Sequence, residues 1–115
     1  MIDTAAEKQF ENKIKKYLED QGCWYVKYFA NSFTKSGIPD LLICCNGYFL
    51  SVEVKASNGK PSELQVHHRD MIRKSGGISI ILYPDQFEEF KDLILLLKTI
   101  KSHSSELRQY EFDRR

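Results

Sequence analysis

Asn46-Gly47 stands between two β-prone runs, Leu41-Leu42-Ile43-Cys44-Cys45 and Tyr48-Phe49-Leu50-Ser51-Val52-Glu53-Val54-Lys55. An Asn-Gly pair favours the left-handed backbone that a type I′ turn demands at both central positions. The two runs are therefore expected to fold back on each other as a hairpin. A regular two-residue turn fixes its register: Cys45 faces Tyr48, Ile43 faces Leu50, Leu41 faces Val52, and Asp40 falls opposite Glu53. The period of two along a strand places Lys55 on the face of Glu53. Leu41, Ile43, Leu50, Val52 and Val54 make the other face apolar. Carboxylates directly opposed across a sheet repel, and they are tolerated when they share a proton or hold a cation. Ligation by oxygen alone suits a hard ion such as Mg²⁺ or Mn²⁺ rather than zinc.

The segments around the hairpin alternate helix and strand. Thr4 with Glu7 three residues on reads as a capping box, opening a helix at about 5–21 whose apolar stripe is Phe10, Ile14, Tyr17 and Leu18, with Gly22 as its stop. Residues 23–29 are rich in aromatic and β-prone types and are expected to form a strand. A polar loop from Asn31 to Gly37, carrying Lys35, leads into Ile38-Pro39-Asp40. After a polar loop at 56–61, Ser62 caps a helix at 62–75 with Leu64, His68, Met71 and Ile72 as its buried side, and Gly76-Gly77 end it. Ile78 to Tyr83 is a strand closed by Pro84, and 85–101 an amphipathic helix turning Phe87, Phe90, Ile94, Leu97 and Ile100 inward. The expected fold is α/β, a mixed four-stranded sheet flanked by helices in the order αβββαβα. A chain of 115 residues supplies one core, so 1–101 is read as a single domain and 102–115 as a polar tail.

Several classes of function drop out. No apolar run approaches the ~20 residues that span a bilayer, and the N-terminus is polar and acidic rather than a signal peptide, so no membrane partner is expected. Three cysteines without a CxxC pair suit reduced thiols and a cytoplasmic location. Gly76-Gly77 lacks the surrounding pattern of a phosphate-binding loop, which argues against a nucleotide cofactor. His67 and His68 are adjacent in a helix and point to different faces, a poor arrangement for shared metal ligation. Cys44, Cys45, Trp24, Tyr25 and Tyr28 are read as packing residues of strands.

Pro39-Asp40, twelve intervening residues, and Glu53-Val54-Lys55 together resemble the PD-(D/E)XK nuclease superfamily. More narrowly the chain is similar to the VRR-NUC family, in its stand-alone, phage-type form. That pattern has a helical Glu, G-x-P-D, E-V-K and a Gln opening the next helix, which Gln65 matches. The likeness covers about residues 7–83. Glu7 and Glu11 both border the first apolar stripe, where a carboxylate is expensive unless paired or metal-bound. Glu7 already serves the capping box. Glu11 stands eleven residues before Gly22, the spacing that related junction-cleaving nucleases carry, and is the acid chosen.

The resemblance implies a restriction-endonuclease-like core and a Mg²⁺- or Mn²⁺-dependent DNA endonuclease. Its metal ligands would be Asp40, Glu53 and the main-chain carbonyl of Val54, with Glu11 joining directly or through water. Lys55 would orient or activate the attacking water, and Gln65 would orient Lys55 or the nucleophile. Stand-alone relatives imply a homodimer acting on branched DNA, Holliday junctions included, in the host cytoplasm if phage-encoded. The alternatives are a flap or nicking nuclease, acting as a monomer or with a partner, and a non-catalytic DNA-binding or assembly module. Net charge is +1, which argues against a pure electrostatic clamp. With Glu11, Asp40 and Glu53 assigned to metal, seventeen basic residues face thirteen acidic ones, which is compatible with phosphate contacts. Lys35, Lys60, Arg69, Arg73 and Lys74 are the candidates for those contacts.

Overall fold

Phe10, Ile14 and Leu18 recur at helical spacing, and they anchor the first helix, α1 (Thr4–Asp20), in the core. Thr4 is itself the first helical residue, so the position before it, where a cap would stand, lies outside the described residues. The computed structural model describes residues 4–30 and 35–113, and the loop expected from Asn31 falls partly outside that range. At the other end of α1 the Cys23 N–H donates to the Leu18 carbonyl at 2.9 Å and the Gly22 N–H to the Glu19 carbonyl at 3.0 Å. This Schellman pattern turns the chain sharply into the first strand.

Four strands follow in spatial order β1-β2-β3-β4: β1 (Trp24–Lys27), β2 (Leu41–Cys45), β3 (Tyr48–Val54) and β4 (Ile78–Leu82). The β2–β3 register is the one the turn dictates, with Leu41 opposite Val52 and Cys45 opposite Tyr48. Asn46 and Gly47 both adopt positive φ, 50° and 83°. The Asn46 side-chain amide also donates to the carbonyls of Leu97 and Ile100 at 2.8 and 2.9 Å. It thereby caps the end of a later helix, α3 (Phe87–Thr99). β1 and β2 run antiparallel and β3 and β4 parallel, so the sheet is mixed. The crossover from β3 to β4 is α2 (Glu63–Lys74), and a 3₁₀ turn over Pro84–Gln86 leads into α3. Beyond α3 lie a four-residue helix, α4 (Ser104–Leu107), and a 3₁₀ turn at Arg108–Tyr110.

The core sits between one sheet face and the α1/α3 pair. Leu41, Ile43, Leu50, Val52 and Val54 meet Phe10, Ile14, Leu18, Phe90, Ile94 and Leu97 there. Phe10 and Phe87 join α1 to α3 edge to face, their ring centroids 6.0 Å apart. The expected αβββαβα order and α/β class hold, in a restriction-endonuclease-like arrangement.

The other sheet face differs from expectation. None of the α2 residues is buried. Leu64 and Met71, assigned inward from helical spacing, are 51% and 47% exposed. Trp24 and Cys44, read as packing residues, are exposed as well. One cause accounts for all four. A single helix packed along β4 leaves β1 and β2 uncovered on that side among the described residues, so the apolar side chains of that face stay largely exposed. Ile100, expected inward, is exposed because α3 ends at Thr99.

Candidate active site

Asp40 lies where β2 begins, and its fixed position comes from three directions. Its carbonyl accepts from the Tyr28 N–H at 2.8 Å. Its Oδ2 accepts from the Val54 N–H at 2.8 Å, and its Oδ1 accepts from Lys27 Nζ at 3.0 Å. The Val54 N–H thus points to the Asp40 side of the sheet.

Glu53 lies on β3 and Lys55 directly after its last residue, both buried. Lys55 Nζ is 3.5 Å from Glu53 Oε2. Gln65 Nε2 donates to the same oxygen at 3.0 Å, while Gln65 Oε1 accepts from the Ser62 N–H at 2.9 Å. With Ser62 Oγ accepting from the Gln65 N–H, a reciprocal capping box holds the glutamine. Gln65 thus donates to the Glu53 oxygen that also pairs with Lys55. Burial, then the neighbouring Asp40 charge, pushes the Glu53 carboxyl up to about 8, with Lys55 pulling the other way.

Two glycines let the backbone close around these groups. A Cβ on Gly37, whose φ is +77°, would stand 2.7 Å from Leu64 Cβ and 2.8 Å from its carbonyl carbon. The glycine of G-x-P-D thus seats the Asp40 loop directly on the first turn of α2, beside Gln65. Gly37→Ala is expected to cost about 2–4 kcal/mol, from both the strained backbone and the overlap, read as a lowered urea midpoint. Gly59 approaches the Lys55 stem, where an added Cβ would sit 3.3 Å from Cδ. Tyr83 Oη donates to the Gly59 carbonyl at 3.0 Å, holding that loop over the lysine.

Glu11 enters from α1 and is buried. Its Oε1 accepts from Lys27 Nζ at 2.5 Å. Its Oε2 pairs with Lys15 Nζ at 3.0 Å, one helical turn on. Burial would raise the Glu11 carboxyl, but the Lys27 and Lys15 ammoniums outweigh it and hold it below its ordinary value. Lys27 is correspondingly raised: burial works against its charge, and hydrogen bonds to Glu11 and Asp40 prevail.

Lys27 bridges Glu11 and Asp40, and sequence reasoning missed it. The signal was alternation along 23–29, which puts Lys27 on the same inward face as Cys23 and Tyr25. A lysine there requires an acidic partner.

The five phosphate-contact candidates do not form one stripe. Arg73 donates to the Ser79 carbonyl at 2.9 Å, and Arg69 pairs with the adjacent Asp70. Lys35 and Lys60 are exposed near the start of α2, while Lys74 is exposed at its far end.

Among the described residues no three His, Cys, Asp or Glu side chains are grouped as a closed metal cage. A Mg²⁺-type ion needs only one or two carboxylates besides waters. The donor chemistry fits such an ion: two abutting acids of oxygen ligands only, with the Glu53 carboxyl raised by burial and then by the Asp40 charge.

A restriction-endonuclease-like fold with an acid–acid–lysine group at the start of its second strand and the end of its third defines a class, the PD-(D/E)XK nuclease superfamily. Within it, the profile of the archaeal Holliday junction resolvases (Hjc) matches residues 4–102, and the chain belongs to that family. No curated protein and no solved structure matches the chain. No helix among the described residues is long and apolar enough to cross a membrane.

Proposed function

We propose that this chain is a Mg²⁺- or Mn²⁺-dependent endodeoxyribonuclease that resolves four-way DNA junctions as a homodimer. The observation that carries the reading is the abutment of Asp40 and Glu53 at one end of the sheet, with Lys55 on Glu53, in a chain of the junction resolvase family. The narrower likeness to VRR-NUC rests on Gly37-x-Pro39-Asp40, Glu53-Val54-Lys55 and Gln65, and belongs to this proposal as a likeness within the same superfamily.

Asp40, Glu53 and the Val54 carbonyl would hold the cation, with Glu11 joining directly or through water. A divalent cation so bound supplies positive charge against the scissile phosphate. Lys55, buried beneath the Gly59 loop, donates to the attacking water and to the phosphate oxygens as negative charge builds. Gln65 keeps Glu53 turned toward Asp40. Lys27 balances Glu11 and Asp40 and draws a phosphate toward the site.

The homodimer has a physical basis in the uncovered sheet face. Trp24, Cys44 and Phe49 are cross-strand neighbours in one row, and Trp24 and Phe49 are 66% and 46% exposed. A second copy covering this row would bury it and set two sites on a two-fold substrate. Residues 1–101 constitute the nuclease domain and 102–115 a tail beyond it. The reading includes action in the cytoplasm.

The test is cleavage of end-labelled four-way junction, flap, single-stranded and linear duplex DNA with Mg²⁺, Mn²⁺ or EDTA. Paired symmetric nicks in the junction are expected, requiring metal and lost in Asp40→Asn. Preferential cutting of a flap or nicked duplex would replace the substrate class. DNA binding without cutting of any substrate would reduce the chain to a binding or assembly module.

A further inference from the structure

The two buried thiols lie at the opposite end of β2 from Asp40. The Tyr28–Asp40 backbone bond makes that position a hydrogen-bonded pair of the β1–β2 ladder. Counting back along the observed register, in which Trp24 faces Cys44, sets Cys23 opposite Cys45. Alternation makes this a non-hydrogen-bonded pair, where facing Cα atoms approach to about 4.5 Å. Disulfides accept Cα separations from about 4.4 Å upward. The side chains agree with the backbone, since the Cys23 and Cys45 sulfurs are 3.0 Å apart.

We infer that Cys23 and Cys45 form a reversible intramolecular disulfide, a modification site separate from the candidate nuclease centre. Only about 1 Å separates the present contact from an S–S bond of ~2.05 Å. Both partners are held by backbone features already described: Cys23 closes the Schellman turn after α1, and Cys45 precedes the turn residue that caps α3. A cleft of about 230 Å³ lined by Gln21, Gly22, Cys23, Cys45, Asn46 and Lys98 opens beside the pair, the side from which the disulfide end of a low-molecular-weight oxidant would approach. One thiol, as its thiolate, attacks the oxidant's S–S bond, releasing one small thiol and leaving a mixed disulfide. The second then displaces the other small thiol, so two protein thiols and one small disulfide give one protein disulfide and two small thiols. Burial and then the Cys45 neighbour push the Cys23 thiol up to about 12, which makes this exchange slow in the folded chain and faster while the chain folds. Cys44 is exposed and points to the other sheet face, so it takes no part.

The bond would tie the strand that follows the Glu11 helix to the strand that begins at Asp40. It sits about five residues, or ~16 Å, along β2 from that acid. Its effect is therefore on stability rather than on the chemistry of cleavage, and it stands whether or not the nuclease reading does.

The test uses the full chain with Cys44→Ser, unfolded in denaturant so that both remaining thiols are accessible. It is then refolded either in a glutathione buffer rich in the oxidised form or in dithiothreitol. After unfolding again in excess alkylating agent, intact mass counts the free thiols. The oxidised sample is expected to take up no alkyl group and the reduced sample two, with Cys23 linked to Cys45 in a proteolytic map. The melting temperature should rise by roughly 10 °C on oxidation. In the Cys44→Ser, Cys45→Ala double variant that rise should vanish. Two alkylatable thiols after oxidative refolding, glutathione adducts at either position, or disulfide-linked dimers would each overturn the inference. A bond that forms without raising the melting temperature would overturn it too, because the native fold would then not be what seats it.

Discussion

Lys55→Ala is expected to slow junction cleavage by about 10³-fold while divalent-cation binding and junction binding stay within a few-fold of wild type. The asymmetry follows from where the ammonium sits. It is buried, 3.5 Å from Glu53 Oε2, and it supplies positive charge without being a metal ligand. Its removal leaves Asp40, the Val54 carbonyl and Glu53 in place, with Gln65 still donating to Glu53. Glu53→Gln should behave differently. The neutral amide is a poorer ligand for a hard cation, so cation affinity should fall by at least about ten-fold along with cleavage. Single-turnover cleavage of a labelled junction, set beside calorimetric titration with Mn²⁺, separates the two variants. Wild-type-like turnover in either would remove its residue from the catalytic assignment. Loss of cation binding in Lys55→Ala would mean that the lysine acts by holding Glu53 in place.

The hairpin was legible because two residues with an unusual backbone requirement determine everything that follows. Once Asn46 and Gly47 occupy the turn, the register places Asp40, Glu53 and Lys55 together, and the structure keeps that register residue for residue. Gln65 was legible as a helix-opening residue but not as a Glu53 partner, because its reach depends on how α2 docks. That docking is governed by the Gly37–Leu64 approach, a contact between segments far apart in the chain. Lys27 was obscured for a similar reason: its partners lie on α1 and β2, and only the β1–β2 pairing brings them together.

The failure on α2 has another origin. Helical spacing identifies an apolar face but not what covers it. Leu64 and Met71 follow a buried pattern, and the described residues leave each about half exposed. The same holds for Trp24 on β1 and Phe49 on β3. A monomer that leaves apolar residues exposed on one face of the sheet and on its helix resembles half of an interface, which is why the proposed dimer is placed there.

Cation affinity is expected to climb steeply with pH and level off near pH 8. Burial and the Asp40 charge raise the Glu53 carboxyl to about 8, so at neutral pH the metal-free pair retains a proton. A cation must displace that proton to reach both acids. Binding at pH 7 should therefore release close to one proton, and affinity should rise about ten-fold per pH unit well below pH 8, or roughly 50-fold from pH 6 to 8. Calorimetry in buffers of different ionisation enthalpy counts the proton directly, and Glu53→Gln should abolish the count. Stability without metal moves in the opposite sense. A carboxyl that holds its proton more tightly when folded contributes stability that is complete below the unfolded value of about 4.3. That contribution declines as pH rises toward 8. The urea midpoint of the EDTA-treated chain should accordingly fall between about pH 5 and 8, and saturating Mg²⁺ should flatten the decline. A cation affinity that stays constant from pH 6 to 8 would mean that Glu53 is already ionised in the metal-free chain. The abutting carboxylates would then owe their stability to Lys55 and Lys27 rather than to a shared proton.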